Sequence, residues 1–135
     1  MVPDNEGGTT PLVPTEIVYD SSSILNSIKN MLGISPMDDG FDLEVKDHIN
    51  SEFLTLHQLG VGPEEGFSIT GPSEVWNDFT TNLHLQDAVR QFVGLRVRLI
   101  FDAPASSVVA EQINNRINEL MFRLNVQAEG DAEES

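Results

Sequence analysis

The sequence contains no cysteine, so disulfide bonds and thiolate metal sites are excluded. Basic residues are scarce: 7 lysines and arginines against 22 acidic residues give a net charge of −15 at neutral pH. A protein that grips nucleic acid should have the opposite balance, because its cations neutralise phosphates. No apolar run approaches the roughly 20 residues of a membrane-spanning helix. The first residues, MVPDNEGGTTPLVP, lack the positive start and apolar run of a secretory signal, so we expect no membrane partner.

The few basic residues are concentrated in one part of the chain. Residues 1–89 contain 15 acidic residues and two lysines, whereas residues 90–123 contain three acidic residues and five arginines. This distribution predicts that copies of the chain dock head to tail, the basic flank of one against the acidic flank of the next. Such pairing builds a ring when the rotation closes. The residues that we assign to a subunit or partner interface are Arg90, Arg96, Arg98, Arg116, Arg123 and Trp76.

The length of 135 residues fits one domain with a single sizeable core. Residues 1–18 mix proline, glycine and threonine with few large apolar groups, so we predict a flexible N-terminal arm. Residues 19–127 form the predicted helical domain. Residues 128–135, AEGDAEES, form a short acidic C-terminal tail that we expect to be flexible as well.

Apolar residues recur at the 3.6-residue spacing of an amphipathic helix in four segments. The first follows three serines, which can cap a helix, and ends before Gly33. The second begins near Phe41 and ends at residue 60, and the fourth has an apolar stripe from Val109 to Leu124. The third spans 82–101, and we choose a helix there although RVRLIF at its end also alternates as a strand would. The sequence therefore predicts an all-α fold, a small helical bundle of about four main helices with a long loop and flexible termini.

The junction between the third and fourth predicted helices is short. Asp102 is placed to cap the fourth helix, and Pro104 suits its first turn. The two long helices must therefore fold back as a hairpin or cross at a steep angle.

The stretch GVGPEEGFSITG at residues 60–71 contains the G-x-G of a phosphate-binding loop, but its context is wrong for one. A dinucleotide site needs a strand before the glycines and a helix after them. Here the glycines follow a predicted helix, and Glu64 and Glu65 place negative charge where phosphate would lie. We predict a connector that carries Phe67 and Ile69 over the core to a short helix in SEVWNDF, anchored by aromatic side chains.

Other candidates for chemistry are weak. His48, His57 and His84 are not spaced to place two imidazoles on one helix face. The acidic stretch SPMDDGFDLEVK at 35–46 fails the calcium-loop pattern at three ligand positions, so Asp38 or Asp39 is better explained as turn and N-cap chemistry. We expect no metal, no cofactor and no catalytic residue, and hence no enzyme.

Two charged residues interrupt the apolar stripes. Arg96 falls on the third stripe between Phe92 and Ile100, and Glu52 falls on the second. An unpaired buried guanidinium costs several kcal/mol, so Arg96 needs a carboxylate partner or an intersubunit surface. The alternatives are that it snorkels to water or lies on a strand. Glu52 either sits at a rim or meets an arginine.

Two longer stretches carry a family resemblance: SILNSIKNMLGI…FDLEVKDHINSEFLTLHQLGVGPEEGFSI at 23–69 and VGLRVRLIFDAPASSVVAEQINNRINELMFRLNV at 93–126. Their most specific phrases are LGVGPEEGF and VRLIFDAP. These stretches, and the order of the predicted helices, resemble the small head–tail connector proteins of tailed bacteriophages, also called adaptor or head-completion proteins.

The resemblance implies a helical structural subunit of the virion neck, made in the host cytoplasm, that forms a homo-oligomeric ring of twelve subunits beneath the portal. It implies the portal protein as one partner and a stopper or tail-completion protein as the other. DNA would pass through the lumen without specific binding. The alternative, from another class, is an acidic DNA mimic that occupies the DNA site of a host enzyme, with the charge of −15 as its main support.

Overall fold

A computed structural model describes residues 22–134 of the chain. Within this range the chain forms five helices and no strand, which confirms the predicted all-α fold. The predicted arm at residues 1–18 lies outside the described residues. The helices are α1 (Ile24–Met31), α2 (Asp42–Gln58), the short α3 (Trp76–Phe79), α4 (Leu83–Phe101) and α5 (Ser107–Glu134).

Side-chain caps fix the starts of α1 and α4. The hydroxyl of Ser23 accepts a hydrogen bond from the backbone N–H of Asn26 at the start of α1. At the start of α4, Oδ1 of Asn82 accepts from the backbone N–H groups of His84 and Leu85 at 3.0 and 3.1 Å. Such caps satisfy donors that have no partner inside the helix. From this cap α4 continues unbroken to residue 101, so the helical alternative for RVRLIF is correct.

Helix α4 is the centre of the bundle and contacts all the other helices. Because five residues join it to α5, the two run antiparallel as a hairpin, and α2 and α1 pack on its other sides. Burying an aliphatic or aromatic side chain contributes about 1.5–3 kcal/mol. The buried apolar residues of α2, α4 and α5 are Val45, Ile49, Phe53, Leu56, Val89, Phe92, Val93, Val97, Ile113, Ile117, Leu120 and Leu124.

The glycine-rich segment 60–71 is a connector between α2 and α3, as predicted. Its far end is fastened by Asn50 of α2, whose Nδ2 donates to the carbonyl of Ile69 at 2.9 Å and whose Oδ1 accepts from the N–H of Ile69 at 2.7 Å. Its near end is fixed by Gly62, which has a φ of 98°. A Cβ on Gly62 would lie 2.5 Å from Cε1 of Phe79, so only glycine fits between the loop and α3.

The predicted start of the last helix is wrong. Asp102 ends α4 as its C-cap, and α5 begins only at Ser107. The hydroxyl of Ser106 accepts from the backbone N–H three residues later at 3.3 Å, so serine takes the capping role assigned to Asp102. Pro104 lies in the connection instead of the first turn. Reversing the chain direction takes all five connecting residues, which moves the cap to the far end of the joint.

Three residues assigned to buried stripes are exposed: Phe41 is 45% exposed, Ile100 58% and Val109 37%. All three lie at helix ends, where α4 ends, α5 begins and α2 begins, and Phe41 there packs edge-on against Phe101 of α4 with 5.4 Å between the ring centres. In α4, Val93 and Val97 are buried as well as Val89 and Phe92. Helix α5 continues to Glu134, so residues 128–134 of the acidic tail are helical.

Candidate interface surfaces

One side of the α4–α5 hairpin carries three of the predicted interface arginines. On α5, Val109, Arg116 and Arg123 recur every seven residues, which places them on one side of the helix. The Nη2 atom of Arg116 donates to Oε1 of Gln91 at 3.0 Å, so this side adjoins α4. Arg98 is seven residues from Gln91 on α4 and shares its side. We define the α4–α5 face by this set: Asp87, Gln91, Arg98, Val109, Arg116 and Arg123.

The arginines of the α4–α5 face differ in how far their charge is neutralised. Arg98 is exposed and forms no ion pair with the described side chains of residues 22–130. Arg123 is 62% exposed and lies 3.8 Å from the carboxylate of Glu119, an ion pair of little strength at a surface. Arg116 pairs with Glu119 as well. The strongest unneutralised positive charge therefore lies at the two ends of the face.

Arg90 lies next to this face and pairs with Asp87, three residues before it on α4. The side chains of both residues are about half exposed, at 41% and 56%. Because such i, i+3 pairs are worth only a few tenths of a kcal/mol, either residue can exchange this partner for another.

Arg96 points to the other side of α4. Its Nε donates to Oε1 of Glu52 on α2 at 2.8 Å, and its guanidinium carbon lies 5.7 Å from the centre of the Phe92 ring. Glu52 is nearly fully buried, whereas the Arg96 side chain is 35% exposed. The two residues that interrupt the apolar stripes are thus partners, and Arg96 is not part of the α4–α5 face.

Trp76, the remaining predicted interface residue, is 5% exposed and lies in the core. Its indole Nε1 donates to the hydroxyl of Ser27 at 3.0 Å, and its ring lies 6.3 Å from that of Phe53. Within the described chain, Trp76 therefore anchors α3 to α1 and α2 and offers little surface to a partner.

A second charged surface lies on the outer side of α2. Leu43, Glu44, Asp47 and Leu54 are exposed there, and we call them the α2 face. Glu52 points inward, towards α4. Asp47 lies five residues earlier, about 140° around a helix of 3.6 residues per turn, so it points outward. The flanking turn and loop add four further exposed carboxylates: Asp38, Asp39, Glu64 and Glu65.

Sequence reasoning missed the most deeply buried ion pair. Lys29 of α1 is completely buried, and its Nζ lies 2.7 Å from Oδ1 of Asp42 at the start of α2. The same ammonium donates to the carbonyl of Pro36 at 3.4 Å. A lysine among polar residues near a helix end looks like a surface residue. The sequence signal that could have revealed the burial of Lys29 is its position one residue after Ile28, beside the apolar stripe of α1.

The described side chains, those of residues 22–130, form no candidate metal site. No group of three histidine, aspartate or glutamate side chains in this range is arranged to hold a metal ion. Nor does any helix in this range have both the length and the apolar character to cross a membrane.

The glycine loop lines a groove of about 370 Å³ with Phe79, Leu85 and the C-terminal part of α5. The groove is walled mainly by apolar side chains and backbone. The charged residues of the loop, Glu64 and Glu65, do not line it.

A family model described as phage connector protein matches residues 24–131. The chain belongs to the phage connector protein family. The match spans the whole helical bundle from the first residue of α1 into the last turns of α5, and it confirms the resemblance noted in the sequence. Comparisons with curated proteins and with solved structures gave no significant match.

For a phage connector protein, the informative features of this fold are surfaces. The family is one of structural proteins, which agrees with the expectation of a non-enzyme. Membership implies a place at the head–tail junction of the virion and contact with portal and tail components. Of the predicted interface residues, the structure brings together Arg98, Arg116 and Arg123, leaves Arg90 beside them, and separates Arg96 and Trp76 from them.

Proposed function

We propose that this connector protein assembles as a ring directly below the portal, joins the capsid to the tail and extends the channel through which DNA passes. The observation that carries the proposal is the family match over residues 24–131. The ring would bind the portal on one side and a stopper or tail-completion protein on the other. Twelve copies is the expected number, in keeping with the sequence resemblance.

The charge of the chain supports a channel that DNA traverses without binding. The net charge of −15 makes the surface repulsive to a phosphate backbone overall. At physiological ionic strength the Debye length is about 8 Å, so only carboxylates that line the lumen would repel the DNA. The exposed carboxylates at 38, 39, 64 and 65 lie in the turn and loop at the two ends of α2, where they are free to face a lumen.

The DNA-mimic alternative receives less support from the geometry. A mimic would display carboxylates in a continuous array at phosphate-like spacing. Here the acidic groups are spread over turns, helix starts and the C-terminal segment, and the α4–α5 face carries arginines. A mimic is therefore kept as an outcome of the test.

The proposal is tested by mixing the purified chain with purified portal protein from the same phage. Native mass spectrometry and negative-stain imaging then report whether the chain binds and in what arrangement. We expect a closed ring of this chain stacked on the portal. Failure to bind the portal, together with tight binding to a host DNA-handling enzyme, would replace the proposal with the mimic. A monomer in the absence of portal is compatible with a ring that the portal templates.

A further inference from the structure

We propose that the α4–α5 face of one subunit docks on the α2 face of the next, and that this pairing is what closes the ring. The inference rests on the proposed function and adds the surfaces through which copies meet. The partner is a second copy of this chain, identified by charge complementarity between two surfaces that lie on opposite sides of the same molecule.

Helix geometry places the two faces back to back. Arg96 points towards α2, since it bonds Glu52 at 2.8 Å. Arg98 is two residues further along, about 160° away around the helix, so it points away from α2. On α2, Asp47 points away from α4 by the same reasoning, because it lies about 140° from Glu52. A subunit with complementary surfaces on opposite sides can join its neighbours head to tail, which is the geometry of a ring.

The charges of the two faces are complementary. The α4–α5 face has three arginines and one aspartate; Glu119 pairs with Arg116 and Arg123 beside it, and Arg90 adds a further cation. The α2 face has Glu44 and Asp47, and Lys46 lies 3.7 Å from Asp47 beside them. Two like faces would repel each other, so the charges select the head-to-tail pairing over a symmetric dimer.

Exposed apolar groups accompany the charges on both faces. Leu43 is 69% exposed and Leu54 57%, and they lie on either side of Asp47 on the outer side of α2. On the α4–α5 face, Val109 is 37% exposed where the sequence predicted burial. Apolar contacts inside a charged rim are the usual anatomy of a protein interface. Val109 therefore leaves part of an apolar side chain on this face for a partner to cover.

The experiment uses two double variants in the presence of portal. Arg98→Glu with Arg123→Glu makes both faces acidic, and Glu44→Lys with Asp47→Lys makes both faces basic. Each variant alone should lose at least tenfold in the fraction of chain assembled on the portal, measured by native mass spectrometry. An equal mixture should recover assembly, with the two variants alternating in a one-to-one ratio. Circular dichroism confirms that each variant is folded; if a reversal unfolds, Arg98→Gln with Arg123→Gln replaces it, with a smaller loss expected.

The control is Glu111→Lys with Glu129→Lys, which changes the net charge by the same amount as the α2-face variant but on the side of α5 away from Arg116. We expect this control to assemble like the natural chain.

Raising salt from 0.1 to 1 M shortens the Debye length from about 10 to about 3 Å and should weaken assembly of the natural chain. Normal assembly of both reversed variants, or no recovery on mixing, would overturn the pairing while leaving the proposed function intact. If the natural chain forms no ring on the portal, the proposed function itself fails.

Discussion

Glu52 of α2 and Arg96 of α4 form an ion pair across the middle of the bundle, with 2.8 Å between Oε1 and Nε. The pair is asymmetric: the side chain of Glu52 is 3% exposed and that of Arg96 is 35% exposed. The glutamate therefore depends on the arginine for solvation, whereas the arginine retains access to water. Taking a carboxylate out of water costs several kcal/mol unless it is paired.

This asymmetry predicts unequal effects of removing the two partners. Arg96→Leu leaves Glu52 buried and unpaired, and we expect a loss of about 3 kcal/mol in the free energy of unfolding. Glu52→Leu leaves an arginine that can turn to water and should cost about 1 kcal/mol or less. The double variant should be more stable than Arg96→Leu alone. Urea unfolding measures all three, and equal losses for the two single variants would contradict the asymmetry.

The buried ion pair of Lys29 and Asp42 predicts a second effect on the free energy of unfolding, at the contact between α1 and α2. Lys29→Met keeps the length of the side chain but leaves the buried Oδ1 of Asp42 without its cation. We expect a loss of about 2–3 kcal/mol in the free energy of unfolding. The matched control is Lys46→Met, because Lys46 is 3.7 Å from a largely exposed carboxylate and should cost less than about 0.5 kcal/mol. Similar losses for both variants would show that Asp42 does not need the lysine.

The close approach of Gly62 to Phe79 predicts a large loss of stability when a side chain is added at residue 62. Gly62→Ala places a Cβ 2.5 Å from the ring of Phe79 at a φ of 98°, and we expect a loss of about 3 kcal/mol in thermal or urea unfolding. Gly33→Ala is the matched control, since Gly33 has a φ of 78° with no atom within 4 Å of the added Cβ. Its loss should be about 1 kcal/mol. If both variants lose the same amount, the contact with Phe79 contributes nothing.

The hydrogen bonds that Glu74 accepts at the end of the connector loop predict that the unfolding free energy depends on pH. Partial burial acts to raise the pKa of Glu74, but hydrogen bonds from the side chain and backbone of Thr70 and the backbone of Gly71 outweigh it and lower the pKa below 4.5. A lowered pKa in the folded state stabilises the fold above pH 4.5, and the contribution is lost as the pH falls through the folded value. The unfolding free energy of Glu74→Gln should therefore be below that of the natural chain at pH 7 and approach it at pH 3. A difference that is the same at both pH values would contradict the role of the charge.

The sequence was sufficient to predict where the helices lie along the chain. It was not sufficient to predict which face of each helix packs against which neighbour. Apolar periodicity identified the four long helices because each buries one stripe, and the serine and glycine signals at the ends of α1 were read correctly. Glu52 and Arg96 were recognised as discordant, yet pairing them requires knowing that α2 and α4 pack face to face. Periodicity within one helix contains no such information.

Three features escaped prediction, the first two for local reasons. At the α4–α5 joint the sequence predicted Asp102 as the cap, whereas Ser106 takes that role, because the position of the cap depends on how many residues the chain needs to reverse. Lys29 was overlooked because its burial is produced by the turn at Pro36 and the start of α2, which fold over it. The grouping of Arg98, Arg116 and Arg123 likewise depends on the register between two helices.

The measurement that tests the central claim most directly is electron cryo-microscopy of the neck of the phage that encodes this chain. We predict a ring of density directly below the portal into which the α1–α5 bundle fits, with the α4–α5 face of each copy against the α2 face of its neighbour. A neck whose density is fully accounted for by other proteins, with no place for this bundle between portal and tail, would contradict the connector role.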